Sequence, residues 1–260
     1  ANAPVVLNGS LKIEETRAVQ GISAKLNTIA KIRGEYVVAS KYDFWFLNAD
    51  LSPKFHAAMD PWFSANVLDL VGITALDKDA YVLMGSNKSL LRVRQNPEAD
   101  DVQGWPNFTA GRSHIEAVGG LGRARIDTER AKFSYIHSSA TDGRYVFMAT
   151  VPDNKNKKQF VISKALMKDW MLSGEFVPTA EMLKKDRSLG ELYVTGMVYE
   201  DGKLYAVSKN WNVLVVIDVA QEAVVEAWGL PEELTDIRGL VKDGSTFEVI
   251  DANRVVKLTT

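Results

Sequence analysis

Apolar and polar positions along the chain rarely recur at helical spacing. They fall into short runs of apolar, β-branched and aromatic residues set off by Gly, Asn, Asp and Ser. That is the pattern of buried strands joined by tight turns. Five segments share one scheme of strand, polar turn and strand: Glu35–Asn48, Asp79–Arg94, Gly143–Ser163, Gly202–Asp218 and Ser245–Leu258. A further strand ending in an Asp-Gly corner precedes three of them, at His137–Gly143, Thr195–Gly202 and Arg238–Gly244. Asp-Gly suits a two-residue hairpin turn, whose positive φ angles cost Gly little. A fourth strand can follow, as in Ala223–Trp228.

Hairpin starts near residues 35, 79, 143, 203 and 246 give steps of about 44, 64, 60 and 43 residues, against about 40–50 for a propeller blade. The two long steps carry insertions around 95–130 and 166–191. In the second, a helix is expected over Thr179–Lys185, with Thr179 as cap and Glu181 in the first turn. The last unit reaches Thr260 with three strands, and Pro4–Ile13 reads as an extended strand able to supply its missing outer edge. The expectation is a single all-β domain over residues 1–260: a five-bladed β-propeller of four-stranded antiparallel blades, the ring closed by the N-terminal strand. A β-sandwich built from the same hairpins is the rival.

Composition narrows the function classes. The chain of 260 residues is 46% hydrophobic and 25% charged, which excludes a disordered or collagen-like protein. Its 31 Lys and Arg against 33 Asp and Glu give a net charge of −2. No nucleic-acid partner is expected from such a balance. There is no cysteine, so thiol catalysis, thiolate metal sites and disulfides are excluded. No run of about 20 apolar residues exists to insert in a membrane as a helix. A monomer is expected.

Tyr193-Val-Thr-Gly-Met197, Asp201-Gly-Lys-Leu-Tyr-Ala-Val-Ser208 and Val215-Val-Ile-Asp218 together resemble a blade of the YVTN/NHL-like propellers. The likeness is good over residues 193–230 and weaker elsewhere. A narrower resemblance is to the extracytoplasmic propeller of DsbI-type (DsbB-like) membrane thiol oxidases. It implies a periplasmic accessory domain in disulfide bond formation, tethered to a membrane part that carries the redox chemistry. Such a domain would bind proteins without catalysing a reaction itself.

In a propeller, the first strand of each blade enters the central channel on the face where the turns between second and third strands open. The expected entry residues are Asn27, Gly72, His137, Thr195 and Arg238. The expected turns contain Lys41-Tyr42-Asp43, Ser86-Asn87-Lys88, Asp153–Lys158, Lys209-Asn210-Trp211-Asn212 and Asn253-Arg254. This face is basic and amide-rich with aromatics interleaved. Asn27, Lys41, Tyr42, Asn87, Lys88, His137, Thr195, Lys209, Trp211, Arg238 and Arg254 are therefore candidates to bind an anionic ligand or an acidic patch on a protein partner. Read structurally, Lys and Asn simply suit solvated turns.

His137 titrates naturally near neutral pH, and Arg238 can grip a carboxylate or phosphate unless Asp236 neutralises it. A hydrolase or lyase with His137 as general base and Arg238 as anion clamp is the catalytic alternative. A small-anion sensor is the third. The entry positions carry no carboxylate for glycoside hydrolysis. Only Asn27 among them offers a side-chain carbonyl oxygen to calcium. His56 and His114 have no ligand-like spacing, so no metal or cofactor is expected. The run Gly119-Gly-Leu-Gly-Arg-Ala-Arg125 lacks the Gly-Lys-Ser/Thr of a P-loop.

Overall fold

A computed structural model describes residues 3–32, 34–58, 69–75, 80–86, 89–95, 113–116, 124–125, 135–168 and 171–260. Two N-terminal strands, β1 (Gly9–Ser10) and β2 (Lys12–Ala18), come first. A blade follows from β3 (Thr28–Ile32), β4 (Glu35–Ala39), β5 (Asp43–Leu47) and β6 (Pro53–Ala58). The second blade holds β7 (Leu70–Ala75), β8 (Ala80–Gly85), β9 (Ser89–Gln95), β10 (Ser113–Glu116) and β11 (Ala124–Arg125). The third holds β12 (Ile136–Thr141), β13 (Tyr145–Thr150), β14 (Ile162–Leu166) and β15 (Met171–Phe176). The fourth holds β16 (Gly196–Glu200), β17 (Lys203–Ser208), β18 (Val213–Asp218) and β19 (Ala223–Gly229). The chain ends with β20 (Ile237–Asp243), β21 (Thr246–Asp251) and β22 (Arg254–Thr259). The first strands β3, β7, β12, β16 and β20 pack each against the next, and β20 packs against β3. The sheets therefore stand around a central axis as a β-propeller.

Alternation along the strands builds the core. Val37 and Ala39 face Leu70, Ile73 and Leu83 of the second blade. Val38, between them in sequence, faces Val241, Ile250 and Val255 on the other side. Successive side chains of a strand point to opposite faces, so a blade between two neighbours must be apolar on both. That is why Val213-Leu-Val-Val-Ile217 is an unbroken buried run. Val213, Val215 and Ile217 pack toward Phe147, Phe160 and Ile162, and Leu214 and Val216 toward Phe247, Val249 and Val256. The Asp-Gly corners form as expected. Asp201 and Gly202 both take positive φ, 49° and 82°, as the tight hairpin from β16 to β17 requires.

The expectation of a five-bladed propeller of four-stranded antiparallel blades, its ring closed by the N-terminal strand Pro4–Ile13, is corrected. Four blades are assembled from consecutive strands, whereas the remaining sheet is composite, in the order β2-β22-β21-β20. The sheets are also unequal: β1 adds a fifth strand to the fourth blade, and β10 and β11 both pair with β9. Pro4–Ile13 is not one strand. Gly9 and Ser10 lie parallel to Trp228 and Gly229 of β19, and only Lys12–Ala18 runs antiparallel to β22. The break falls where a Cβ on Gly9 would strike the Trp228 ring. The ring itself is closed at the axis, where β3 packs on β20.

The helix expected at Thr179–Lys185 does not form. Thr179 makes a parallel bridge to Ala223, and Leu183 an antiparallel one to Val5. The Thr179 N–H donates to the Glu222 carbonyl, and its own carbonyl accepts from Val224. A segment this short gains little from its own helical bonds, so neighbouring strands satisfy its backbone. Of the Gly119–Arg125 run, residues 119–123 lie outside the described residues. Ala124 and Arg125 pair with Leu90 and Ser89.

Candidate functional site

Each first strand begins with the same three-residue pattern, which sets the channel mouth. A buried apolar residue (Leu26, Leu70, Ile136, Val194, Ile237) comes first. A partly exposed residue follows (Asn27, Val71, His137, Thr195, Arg238). A small buried one comes third (Thr28, Gly72, Ser138, Gly196, Gly239). Pairing skips between Leu70 and Gly72 and between Ile136 and Ser138, so Val71 and His137 are bulged residues. Such bulges re-aim side chains. The small residues allow the strands to converge at the axis. A Cβ on Gly196 would run into the Gly239 backbone, and one on Gly239 (φ 74°) into the Ile29 nitrogen.

Above this pinch lies a cavity of about 720 Å³, lined by Asn27, Val71, His137 and Arg238 of the inner ring. Two residues upstream of each inner position, a second ring reads Lys25, Asp69, Tyr135, Tyr193 and Asp236. Lys25, Asp69 and Tyr135 also line the cavity. The Tyr193 ring centroid lies 6.0 Å from that of His137. Asp236 binds both Lys25 and Arg238. Going round the axis, the outer ring is charged from the composite sheet through the first blade to the second, and aromatic across the third and fourth. Ser40, Lys41, Tyr42, Asp43 and Ser86, from the turns between second and third strands, complete much of the wall.

The charged side is unevenly compensated. Asp236 accepts from Arg238 Nε at 3.0 Å and sits 2.8 Å from Lys25 Nζ. Burial pushes the Asp236 carboxyl up, but the two cations outweigh it and hold it below its usual range. One carboxylate thus serves two cations. The Nε bond is the protein hydrogen bond made by Arg238 among the described residues. Lys41 lies 3.7 Å from Asp69 and over the Tyr42 ring. Its pKa is raised, first by its hydrogen bond to Tyr42 and then by Asp69. Asp43 holds His56 at 3.1 Å, and that ring stacks on Trp45.

His137 is held in its neutral form. Burial lowers its pKa first, and the positive charge of Arg238 lowers it further. Its Nδ1 is buried with no hydrogen-bond partner among the described residues. Beside it, Tyr135 and Tyr193 keep 51% and 39% of their surface exposed.

Of the sequence-predicted residues, Asn27, Lys41, Tyr42, His137 and Arg238 come together around this cavity. Thr195 belongs to the inner ring, its hydroxyl donating to the Ile237 carbonyl at 2.6 Å. Gly72 is corrected by one position: Val71 is the entry residue, and Gly72 faces the Ser139 side chain. Lys209 donates to Asn212, and Arg254 binds Asp251; neither lines the cavity. Trp211 is 3% exposed and packs in the core between the third and fourth blades, so it presents no ring at the surface. Its neighbour Asn210 instead accepts the Tyr193 N–H and donates to the Glu191 carbonyl, fixing the loop that carries Tyr193. Asn87 and Lys88 lie outside the described residues. Lys25, Tyr135 and Tyr193 lie outside the sequence-predicted set, which holds only entry and turn residues. The period of two along an extended strand points from each entry residue to them.

Among the described residues, no three His, Asp or Glu side chains gather to hold a metal ion. No helix among them is long and apolar enough to cross a membrane. No family model matches the chain, and no curated protein matches it. Among solved structures, a glutaminyl cyclase of Myxococcus xanthus superposes with a TM-score of 0.67 at 11% identity, covering 98% of this chain and 97% of that one. The β-propeller domain of Cps50 (Swd1) from Myceliophteria thermophila gives 0.47 at 9% identity, covering 92% and 65%. At 11% identity the cyclase likeness speaks to fold alone, and the fold it supports is the β-propeller.

Proposed function

We propose that this chain is a binding platform whose channel mouth takes an anionic group, a carboxylate or phosphate, from a small ligand or from the surface of a protein partner. One observation carries the reading: Arg238 and Lys25 share the single carboxylate of Asp236 at the cavity edge. The two cations meet at the edge of a concave site, where an arriving anion is stabilised more than at an open surface. Neutral His137 beside it adds a hydrogen-bonding group without adding charge. The extracytoplasmic setting beside a membrane thiol oxidase belongs to the same proposal. A chain without cysteine would supply recognition there and leave thiol chemistry to another part.

The test is thermal unfolding with sodium acetate or phosphate, at constant ionic strength held with chloride. A ligand at 100 times its Kd stabilises by about 2.7 kcal/mol. The platform reading expects a saturable rise in Tm in the wild type that Arg238→Gln abolishes. No rise, or an equal rise in the variant, overturns it.

A second reading rests on His137. An imidazole kept neutral by burial and by Arg238 has the protonation state of a general base. The shared fold of the cyclase is a precedent for an enzyme on such a ring and assigns no reaction. Turnover of ester or amide substrates that His137→Gln abolishes would favour this reading over the platform.

A further inference from the structure

The platform reading leaves two exposed tyrosines unused. We propose that the anionic ligand carries a flat ring next to its charged group, and that Tyr135 and Tyr193 bind the ring; the inference rests on the anion reading above.

The argument is one of placement. Tyr135 and Tyr193 hold equivalent positions in adjacent blades, each two residues before its entry residue, His137 or Thr195. At the same position the other three sheets place Lys25, Asp69 and Asp236. The outer ring is thus divided into a charged arc and an aromatic arc. The rings are also among the few large apolar groups left exposed in the described residues. Burying such rings is favourable, and two at equivalent positions on the rim of one cavity form an apolar wall of the kind small-molecule sites use. Tyr42 differs, because the Lys41 ammonium lies 5.2 Å from its ring centroid. No hydrogen bond or cation engages the Tyr135 and Tyr193 rings among the described residues; the Tyr193 ring meets His137 at a tilt of 37°.

A ligand that places its charge by Arg238 can lay a ring against the tyrosine arc, because β16, which follows Tyr193, packs beside β20. The cavity volume of about 720 Å³ falls in the range of small-molecule sites, which join a few placed polar groups to apolar walls. The chemical class that fits is a ring-bearing carboxylate. Asn27, Ser40 and Ser86, which also line the cavity, offer hydrogen bonds to polar substituents.

The experiment compares acetate with phenylacetate by calorimetric titration at constant ionic strength. Four proteins are used: wild type, Tyr135→Ala, Tyr193→Ala and Arg238→Gln. The expected result is about tenfold tighter binding of phenylacetate. Each tyrosine variant should lose most of that ratio while keeping its acetate affinity. Arg238→Gln should weaken both ligands. Equal wild-type affinities overturn the ring inference and leave the anion reading standing. A ratio that survives both tyrosine substitutions also overturns it. Failure of both ligands to bind the wild type overturns the anion reading and this inference together. Phenylacetate binding that ignores Arg238→Gln overturns the link between ring and charge.

Discussion

The two ends of the channel are built from the same strands and hold their polar groups in opposite ways. The lower mouth, a cavity of about 500 Å³, is lined by Lys31, Thr141, Tyr199, Lys242 and Asp243 among others. Each of these has a partner in the protein. Lys242 binds Glu200 at 2.6 Å and lies over the Tyr205 ring. Lys31 approaches Asp243 and the Tyr36 ring. Thr141 donates to the Tyr145 carbonyl, and the Tyr199 hydroxyl accepts from the Gly202 N–H. The upper mouth leaves His137 Nδ1 unpaired, makes two cations share one carboxylate, and exposes two tyrosines. An unsatisfied buried group costs stability, so the unpaired His137 Nδ1 is what makes the upper mouth, rather than the lower, the candidate site.

The comparison can be broken first at the pinch between the mouths. Gly239→Val should destabilise by more than about 3 kcal/mol, because it adds a side chain where φ is 74° and the Ile29 backbone is in the way. Chemical unfolding measures this, and a near-wild-type value would mean the strands do not converge there. The next contrast sets one cation against another. Arg238→Gln should weaken anion binding about tenfold or more and change stability little. Lys242→Met should lower stability by about 1–2 kcal/mol without touching binding. An exchange of these phenotypes would invert the assignment of the two mouths.

A smaller effect sharpens the picture through pH. The folded-state pKa of His137 lies below the ordinary imidazole value of about 6.5. The unfolded chain therefore binds that proton first as pH falls, and stability drops with falling pH from about 6.5 down to the folded-state pKa. His137→Gln should remove this acid-side loss, which urea unfolding at pH 7 and pH 5 would reveal as a shallower slope. The least change is expected from Lys41→Ala. Its ammonium is exposed and paired loosely with Asp69, so Tm should stay constant and anion affinity fall by less than about threefold.

Much of this was legible in the sequence. Asp-Gly corners and apolar runs placed the hairpins, because turn chemistry and two-sided burial are local demands. His137 and Arg238 stand out in the sequence because they open first strands. What was missed depended on geometry between segments. Whether Gly72 or Val71 entered the channel turned on a one-residue bulge, although the pattern of apolar, variable and small residues, read across all five starts, fixes it. Trp211 resembled a surface aromatic by its Asn neighbours, yet the space between two blades took it into the core. Pro4–Ile13 read as one strand, but contact between Gly9 and Trp228 divides it between two sheets. Thr179–Lys185 carried a helix signal that was too short to compete with the strands beside it.

The most direct test of the central claim follows the His137 imidazole by NMR while acetate is added. The chain has three histidines, so the resonance can be assigned by comparison with His137→Gln. An anion bound beside Arg238 offsets the charge that helps to depress this pKa. The account predicts a saturable shift at His137, absent at His56, with its pKa rising toward 6.5 on binding and with no response in Arg238→Gln. A His137 resonance that ignores the anion, or responds equally without Arg238, would contradict it.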